Sequence, residues 1–116
     1  VADCTSRGYL GAATVVDSAG EARAMLSADG SDGSHVFVAQ RKALASVVFK
    51  VPSAQVREMV AKDPTLLARV TPAMFVNFGA FPIVSKGTLI GAIGYSGGDD
   101  EACARAGLAA IEAKLK

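Results

Sequence analysis

Residues 74–96, MFVNFGAFPIVSKGTLIGAIGYS, decide the fold class of this chain. The segments Met74–Val84 and Thr88–Ser96 are rich in β-branched and aromatic residues, and a short Ser-Lys-Gly turn separates them. This pattern predicts a β-hairpin. Because the two strands of a hairpin run in opposite directions, the sheet that contains them is predicted to be antiparallel.

A second hairpin is predicted nearer the start of the chain. Its strands are Ala12–Asp17 and Glu21–Ala28, and the residues between them include Gly20, which tolerates the positive φ of a tight turn. The second of these strands alternates, with polar residues at 21, 23 and 27 and apolar residues at 22, 24, 26 and 28. This alternation predicts a strand with one polar and one apolar face.

The remaining segments predict helices that cover the sheet. They are Val1–Arg7, which we interpret as the end of a longer helix, His35–Phe49, Ala54–Ala61, Asp63 to about Val70, and Asp99–Lys116. Ser34 and Ser53 are the predicted N-caps of the second and third helices, and Asp63 caps the fourth. Two hairpins interspersed with helices predict an α+β fold rather than a doubly wound parallel sheet.

Composition limits the class of protein. A chain of 116 residues that is 51% hydrophobic predicts one folded domain, residues 1–116. A net charge of +1 without a basic run argues against a nucleic-acid binder, and no apolar run approaches the roughly 20 residues of a membrane span. The mean hydropathy of +0.35 is high for a small domain and predicts apolar surface that contacts another subunit.

Few residues carry chemistry. The chain has one histidine and no CxxC, HExxH or paired Cys/His spacing, which excludes the usual zinc sites. His35 and Lys42 lie two turns apart on one side of the predicted second helix. Either they are a surface histidine and a snorkelling lysine, or they form a small-ligand or haem site in which Lys42 pairs with an anionic group.

Glycines mark the end of the last predicted strand, where residues 91–97 read GAIGYSG. This spacing predicts that either a helix or a ligand approaches the backbone closely near Gly94, Ser96 and Gly97. The acidic residues at 99–101 follow, and we interpret them as a helix cap with favourable charge–dipole pairing rather than as a cation site.

The two cysteines lie at opposite ends of the chain, Cys4 in the first predicted helix and Cys103 in the last. If the terminal helices pack side by side, these residues can form one disulfide that closes a loop of about 100 residues. Two buried free thiols are the alternative. The residues alone leave both interpretations open.

Five segments occur together in the order of a known family: 15–20 (VVDSAG), 41–43 (RKA), 79–83 (GAFPI), 90–97 (IGAIGYSG) and 100–104 (DEACA). On these segments the chain resembles the GlcG/HbpS-type haem-binding (haem-degrading) domain family, over nearly its whole length except the start of the first helix. The resemblance implies a profilin-like sandwich, with a five-stranded antiparallel sheet covered by helices, and a homo-oligomer.

The resemblance also implies roles for individual residues. His35 is the expected ligand of a haem iron or polar anchor, and Lys42 the expected partner of a haem carboxylate. Gly94, Ser96 and Gly97 are expected to let the ligand approach the backbone. Members with cysteines at both positions resemble an exported branch, which implies a Cys4–Cys103 disulfide and a periplasmic or secreted location.

The chain departs from the family at two bulky residues, Phe81 and Tyr95, which we expect to reshape any pocket. The leading hypothesis is an exported oligomer that binds haem or a similar small anionic ligand. A second hypothesis is an enzyme or accessory protein for a carboxylate metabolite, although the sequence shows no nucleophile–base pair for it. A purely structural assembly module is the third.

Overall fold

The computed structural model describes residues 1–115. Its elements are α1 (Ala2–Ser6), β1 (Ala12–Asp17), β2 (Ala22–Ser27), α2 (His35–Phe49), α3 (Ser53–Lys62), a 3₁₀ helix (Pro64–Arg69), β3 (Ala80–Ser85), β4 (Thr88–Ser96) and α4 (Asp100–Glu112). Both predicted hairpins and the α+β class are confirmed. The last helix was predicted to reach Lys116, which lies outside the described residues.

The sheet is antiparallel, with the strand order β2-β1-β4-β3. The described chain therefore forms four strands, and the five-stranded sheet expected from the resemblance is wrong for these residues. The predicted strand Met74–Val84 begins only at Ala80. Its first part packs on helices instead, since Phe75 N donates to the carbonyl of Arg41 at 3.1 Å and Met74 packs against Phe49.

Helix α2 lies across one face of the sheet and closely approaches β4. Val16 and Ala92 of the sheet pack against Ala43 and Val47 of this helix. Small side chains at this interface let the backbone of the helix approach the backbone of the strand. The first of the two alternatives for the glycine-rich strand, close packing by a helix, is therefore seen at Gly94, where an added Cβ would collide with the carbonyl oxygen of Ala39.

The opposite face of the sheet is covered by α4, which packs on β3 and β4. The core there contains Phe81, Tyr95, Cys4, Cys103 and Ala104. Cys4 and Cys103 form a disulfide with a Cα–Cα distance of 5.8 Å, which joins α1 to α4. The structure thus decides between the two interpretations of the cysteines in favour of the disulfide.

Two of the predicted helix caps are confirmed and two are wrong. The side chains of Asp63 and Asp99 accept hydrogen bonds from backbone N–H groups in the first turn of the helices that they precede. Ser34 makes no side-chain cap. Ser53 lies inside α3, and its hydroxyl accepts a hydrogen bond from Ala80 N at 3.0 Å, which ties α3 to the start of β3.

Strand β2 forms an edge of the sheet, and its apolar side chains remain largely in solvent. Leu26 is 61% exposed although the alternation of the sequence places it on the apolar face. None of the helices within residues 1–115 is long and apolar enough to cross a membrane.

Candidate functional site

His35 begins α2 and lies against the end of β4. Its Nδ1 is 3.1 Å from the hydroxyl of Ser96, and the imidazole is partly buried. The hydroxyl of Thr14 donates to the carbonyl of Val36 at 2.8 Å, which fixes the first turn of the helix on β1. The structure therefore brings together two of the residues that the sequence singled out, from positions 61 residues apart.

The turn that follows β4 passes beside the imidazole. Gly97 has a φ of +113°, a conformation that favours glycine. A Cβ added at Gly97 would lie 3.2 Å from Cδ2 of His35, and one added at Gly98 would lie 2.5 Å from Cγ of Tyr9. The two glycines thus let the backbone pass between the ring of His35 and the ring of Tyr9. Nothing in the sequence indicated that Tyr9 lies here.

Asp32 shapes the loop that leads into α2. Its Oδ1 accepts a hydrogen bond from Ser34 N at 2.8 Å, and this bond holds the pKa of Asp32 below its usual value. The carboxylate thereby organises the entry to the helix in place of the predicted Ser34 cap. It also puts a negative charge near His35.

Lys42 lies two turns further along α2 and is fully engaged within the chain. Its Nζ is 2.6 Å from Oδ2 of Asp100 and donates to the carbonyl of Tyr95 at 3.1 Å. The side chains are 3% and 14% exposed, so the ion pair is buried. The other carboxylate oxygen of Asp100 accepts from Gly98 N at 3.0 Å. The carboxylate partner of Lys42 in the structure is therefore Asp100.

Two exposed aromatic residues surround Lys42. Phe75 and Phe78 are 40% and 48% exposed, and their ring centroids lie 5.8 and 5.9 Å from Nζ. At this distance the cation interacts favourably with the face of an aromatic ring. Both residues were predicted to lie in a strand, so their position beside Lys42 was not expected from the sequence.

The acidic residues 99–101 do not converge on a common point. Asp99 caps α4, Asp100 pairs with Lys42, and Glu101 lies 3.6 Å from the guanidinium of Arg105. Within residues 1–115, no group of three or more His, Cys, Asp or Glu side chains is placed to hold a metal ion. The preferred interpretation of Asp99 as a helix cap is therefore confirmed.

Phe81 and Tyr95 lie in the core cluster on the α4 side of the sheet and not beside His35. Successive residues of a strand point to opposite faces, so Tyr95 points towards α4 while Ser96 points towards His35. The hydroxyl of Tyr95 is buried without a hydrogen-bond partner among the described residues, and burial raises the pKa of this group.

A cavity of about 210 Å³ lies on the α4 side, between α1 and α4. Its lining includes the disulfide and the small residues Ala106, Gly107 and Ala110. This cavity is lined by α1 and α4 residues and not by His35 or Lys42. The candidate site therefore consists of the surface around His35, Ser96 and Gly97, with the buried Lys42–Asp100 pair beside it.

Several solved structures share this fold. The chain is 30% identical to HbpS, covering 96% of this chain and 80% of that one, with a TM-score of 0.85. A double mutant of HbpS from Streptomyces reticuli is 29% identical over 95% of this chain and 77% of that one, with a TM-score of 0.84. The PduOC:heme complex is similar in fold alone, at 22% identity over 96% of this chain and 85% of that one, with a TM-score of 0.82.

No curated protein matches the chain. A family model described as "Haem degrading protein HbpS-like" matches residues 1–109, which is nearly the entire chain. The chain therefore belongs to the HbpS-like haem-degrading protein family.

Proposed function

We propose that this protein binds haem, or a flat anionic ligand of the same kind, at the surface around His35, whose imidazole would hold the iron. The observation that carries the proposal is the pairing of the only histidine of the chain with Ser96. A ligating histidine commonly holds its second ring nitrogen in a hydrogen bond, because that bond fixes the tautomer and the orientation of the ring. The Nδ1–Ser96 contact leaves Nε2 as the ligating atom.

The surroundings of the imidazole fit a flat ligand. Gly97 packs closely on the ring, since an added Cβ there would lie 2.5 Å from Cα of Gly11 and 3.2 Å from Cδ2 of His35, and this packing holds the imidazole in place. Phe75 and Phe78 add apolar surface near Lys42, on the side of α2 that also carries His35. When bound, haem supplies an iron centre whose redox chemistry belongs to the cofactor, and the protein supplies its orientation.

The proposed contacts comprise His35, Ser96 and Gly97. Lys42 and Gly94 were expected to contact the ligand as well, but their geometry favours indirect roles. Lys42 holds α2 to the start of α4 through Asp100, and Gly94 lets α2 lie close to β4. Both residues position His35 relative to Ser96 because they fix the helix that carries the imidazole.

The test is a titration of the oxidised protein with haem, followed by the Soret absorbance. We expect a saturable Soret shift that is lost in His35→Ala. In Ser96→Ala we expect the haem affinity to fall about tenfold or more. Gln40→Ala serves as the matched control, since this residue lies on the same helix outside the proposed contacts and should bind haem as the unsubstituted protein does. A saturable shift that is unchanged in His35→Ala would show that the ligand binds elsewhere.

We further propose an exported, homo-oligomeric protein. The disulfide supports an oxidising compartment such as the periplasm or the extracellular space. Large apolar side chains that remain exposed support an interface between copies: Leu26 and Met25 on β2, Phe37 on α2, and Ile90 on β4. Sedimentation velocity of the oxidised protein tests the assembly, and a single monomeric species at micromolar concentration contradicts it.

A further inference from the structure

Tyr9 connects the disulfide to the candidate site. It follows α1, and its backbone N donates to the carbonyl of Cys4 at 3.0 Å. Its partly buried ring packs on the core cluster that contains Cys4, Cys103 and Tyr95. Tyr9 is therefore held to Cys4 by a backbone hydrogen bond and to the core cluster around the disulfide by side-chain packing.

The same ring supports the turn beside the imidazole. An added Cβ at Gly98 would lie only 2.5 Å from Cγ and 2.7 Å from Cδ1 of Tyr9, so the ring is in direct contact with the backbone of this turn. The adjacent residue, Gly97, lies against the ring of His35. A continuous series of contacts thus runs from Cys4 through Tyr9 and the Gly97–Gly98 turn to His35.

The disulfide is the main attachment of α1. This helix has five residues, and Cys4 is the only buried one among them. A helix of this length has little stability of its own in water. The covalent bond to Cys103 of α4 therefore determines where α1, and with it Tyr9, is held.

We propose that the Cys4–Cys103 disulfide, acting through Tyr9 as a positioning residue, braces the Gly97–Gly98 turn beneath His35, so that the His35–Ser96 site responds to the oxidation state of the two cysteines. The consequence for haem affinity rests on the proposed function. The brace itself is a property of the chain alone and is measurable without any ligand.

Reduction by a dithiol such as dithiothreitol opens the brace. The reductant's two thiol groups give two electrons and two protons to the cysteines, the S–S bond breaks, both cysteines become thiols, and the reductant is released as a cyclic disulfide. Once α1 is free, the ring of Tyr9 is no longer pressed on Gly98. The turn then gains freedom, and the surroundings of the imidazole change.

The ligand-free test uses the single histidine as a reporter. We expect the NMR signals of the His35 ring to shift on reduction and Tyr9→Ala to produce the same shift while the disulfide is intact. Reduction of the Tyr9→Ala variant should then cause little further shift of the His35 signals, because both changes remove the same contact with the Gly97–Gly98 turn. Tyr9→Phe should retain the oxidised signals, and Leu10→Ala is the matched control at the neighbouring position.

Two outcomes overturn the proposal. One is an unchanged His35 signal in both reduced protein and Tyr9→Ala. The other is a shift on reduction that Tyr9→Ala neither reproduces nor diminishes, since the connection would then not pass through Tyr9. Far-UV circular dichroism identifies global unfolding on reduction, and Tyr9→Ala provides a test in which the disulfide remains closed.

The haem titration separates this inference from the proposed function. If both hold, reduction and Tyr9→Ala each weaken haem binding by about 5-fold or more. If the His35 signals respond as expected while His35→Ala leaves haem binding unchanged, the brace is supported and the proposed haem site is wrong. If haem binding requires His35 but the His35 signals are insensitive to reduction and to Tyr9→Ala, the haem site is supported and the brace is overturned.

Discussion

His35 and Lys42 resemble each other in the sequence, as polar residues on one side of the same helix, but the structure gives them opposite environments. They lie about 10 Å apart along the helix axis. His35 contacts Ser96 at the end of β4, and Lys42 contacts Asp100 at the start of α4. Lys42 is buried and its ammonium group is bonded to Asp100 and to a backbone carbonyl. His35 is only partly buried and has one neutral partner, Ser96.

This difference separates a residue that is committed to a buried ion pair from one that is partly buried and, in the described part of the chain, has no charged partner within hydrogen-bond distance. A buried ion pair must be fully satisfied, because an unpaired charge in the protein interior costs several kcal/mol. Its members are thereby committed to each other. A partly buried imidazole with a hydrogen bond at one nitrogen has its orientation fixed by that bond.

The largest expected effect is on the buried pair. Asp100→Ala leaves the ammonium group of Lys42 without its carboxylate, and we expect a loss of about 3–5 kcal/mol in the free energy of unfolding, measured with urea. The matched control is Glu101→Ala, which removes the adjacent carboxylate and an exposed ion pair, and should cost about 1 kcal/mol or less. Equal losses in the two variants would contradict the committed role of Lys42.

A second prediction concerns the interface that carries both residues. Gly94→Ala puts a methyl group into the carbonyl oxygen of Ala39, so α2 must move away from β4. We expect a loss of about 1–3 kcal/mol in the free energy of unfolding, with weaker haem binding because His35 is displaced from Ser96. Gly33→Ala is the control, since an added Cβ there has no neighbour within 4 Å and should change stability by about 0.5 kcal/mol or less.

The smallest effect concerns the loop before His35 and its response to pH. The pKa of Asp32 is lowered in the folded protein from the value of about 3.8 that applies when unfolded. Its contribution to stability is therefore present above the unfolded pKa and is lost as pH falls through the folded pKa. We expect Asp32→Ala to lose less stability than the unsubstituted protein on acidification from about pH 5 to about pH 2.

Urea unfolding at several pH values measures this difference. Gly33→Ala, which changes no titratable group in the same loop, should keep the acid dependence of the unsubstituted protein. A steeper loss of stability in Asp32→Ala than in the unsubstituted protein would show that the carboxylate is not favoured in its charged form by the fold.

Local patterns were sufficient to predict most of the secondary structure. Both hairpins and the caps at Asp63 and Asp99 follow from turn and capping chemistry that acts within a few residues. The predicted cap at Ser53 was wrong because its partner is distant in the sequence. Its hydroxyl is used by Ala80, 27 residues away, and no local pattern indicates such a partner.

The site was predicted only in part, and the missing residues share a cause. The sequence indicated His35, Ser96 and Gly97 because a lone histidine and a glycine-rich strand end are visible in it. Asp100 was visible only as one of three acidic residues, since its pairing with Lys42 spans 58 residues. Phe75 and Phe78 were hidden because β-branched and aromatic composition indicates a strand even where the segment packs on helices instead.

The sequence by itself determined the α+β class and the order of the elements, because hydrophobic periodicity and turn residues act over short distances. Its match to a family model over residues 1–109 determined the family. The tertiary structure alone decided that the two cysteines meet, that Lys42 is committed to Asp100, and that Tyr9 lies between the disulfide and the turn beside His35. These relations depend on how closely α2 and α4 approach the two faces of the sheet. That approach is set by packing of the whole core rather than by any local pattern.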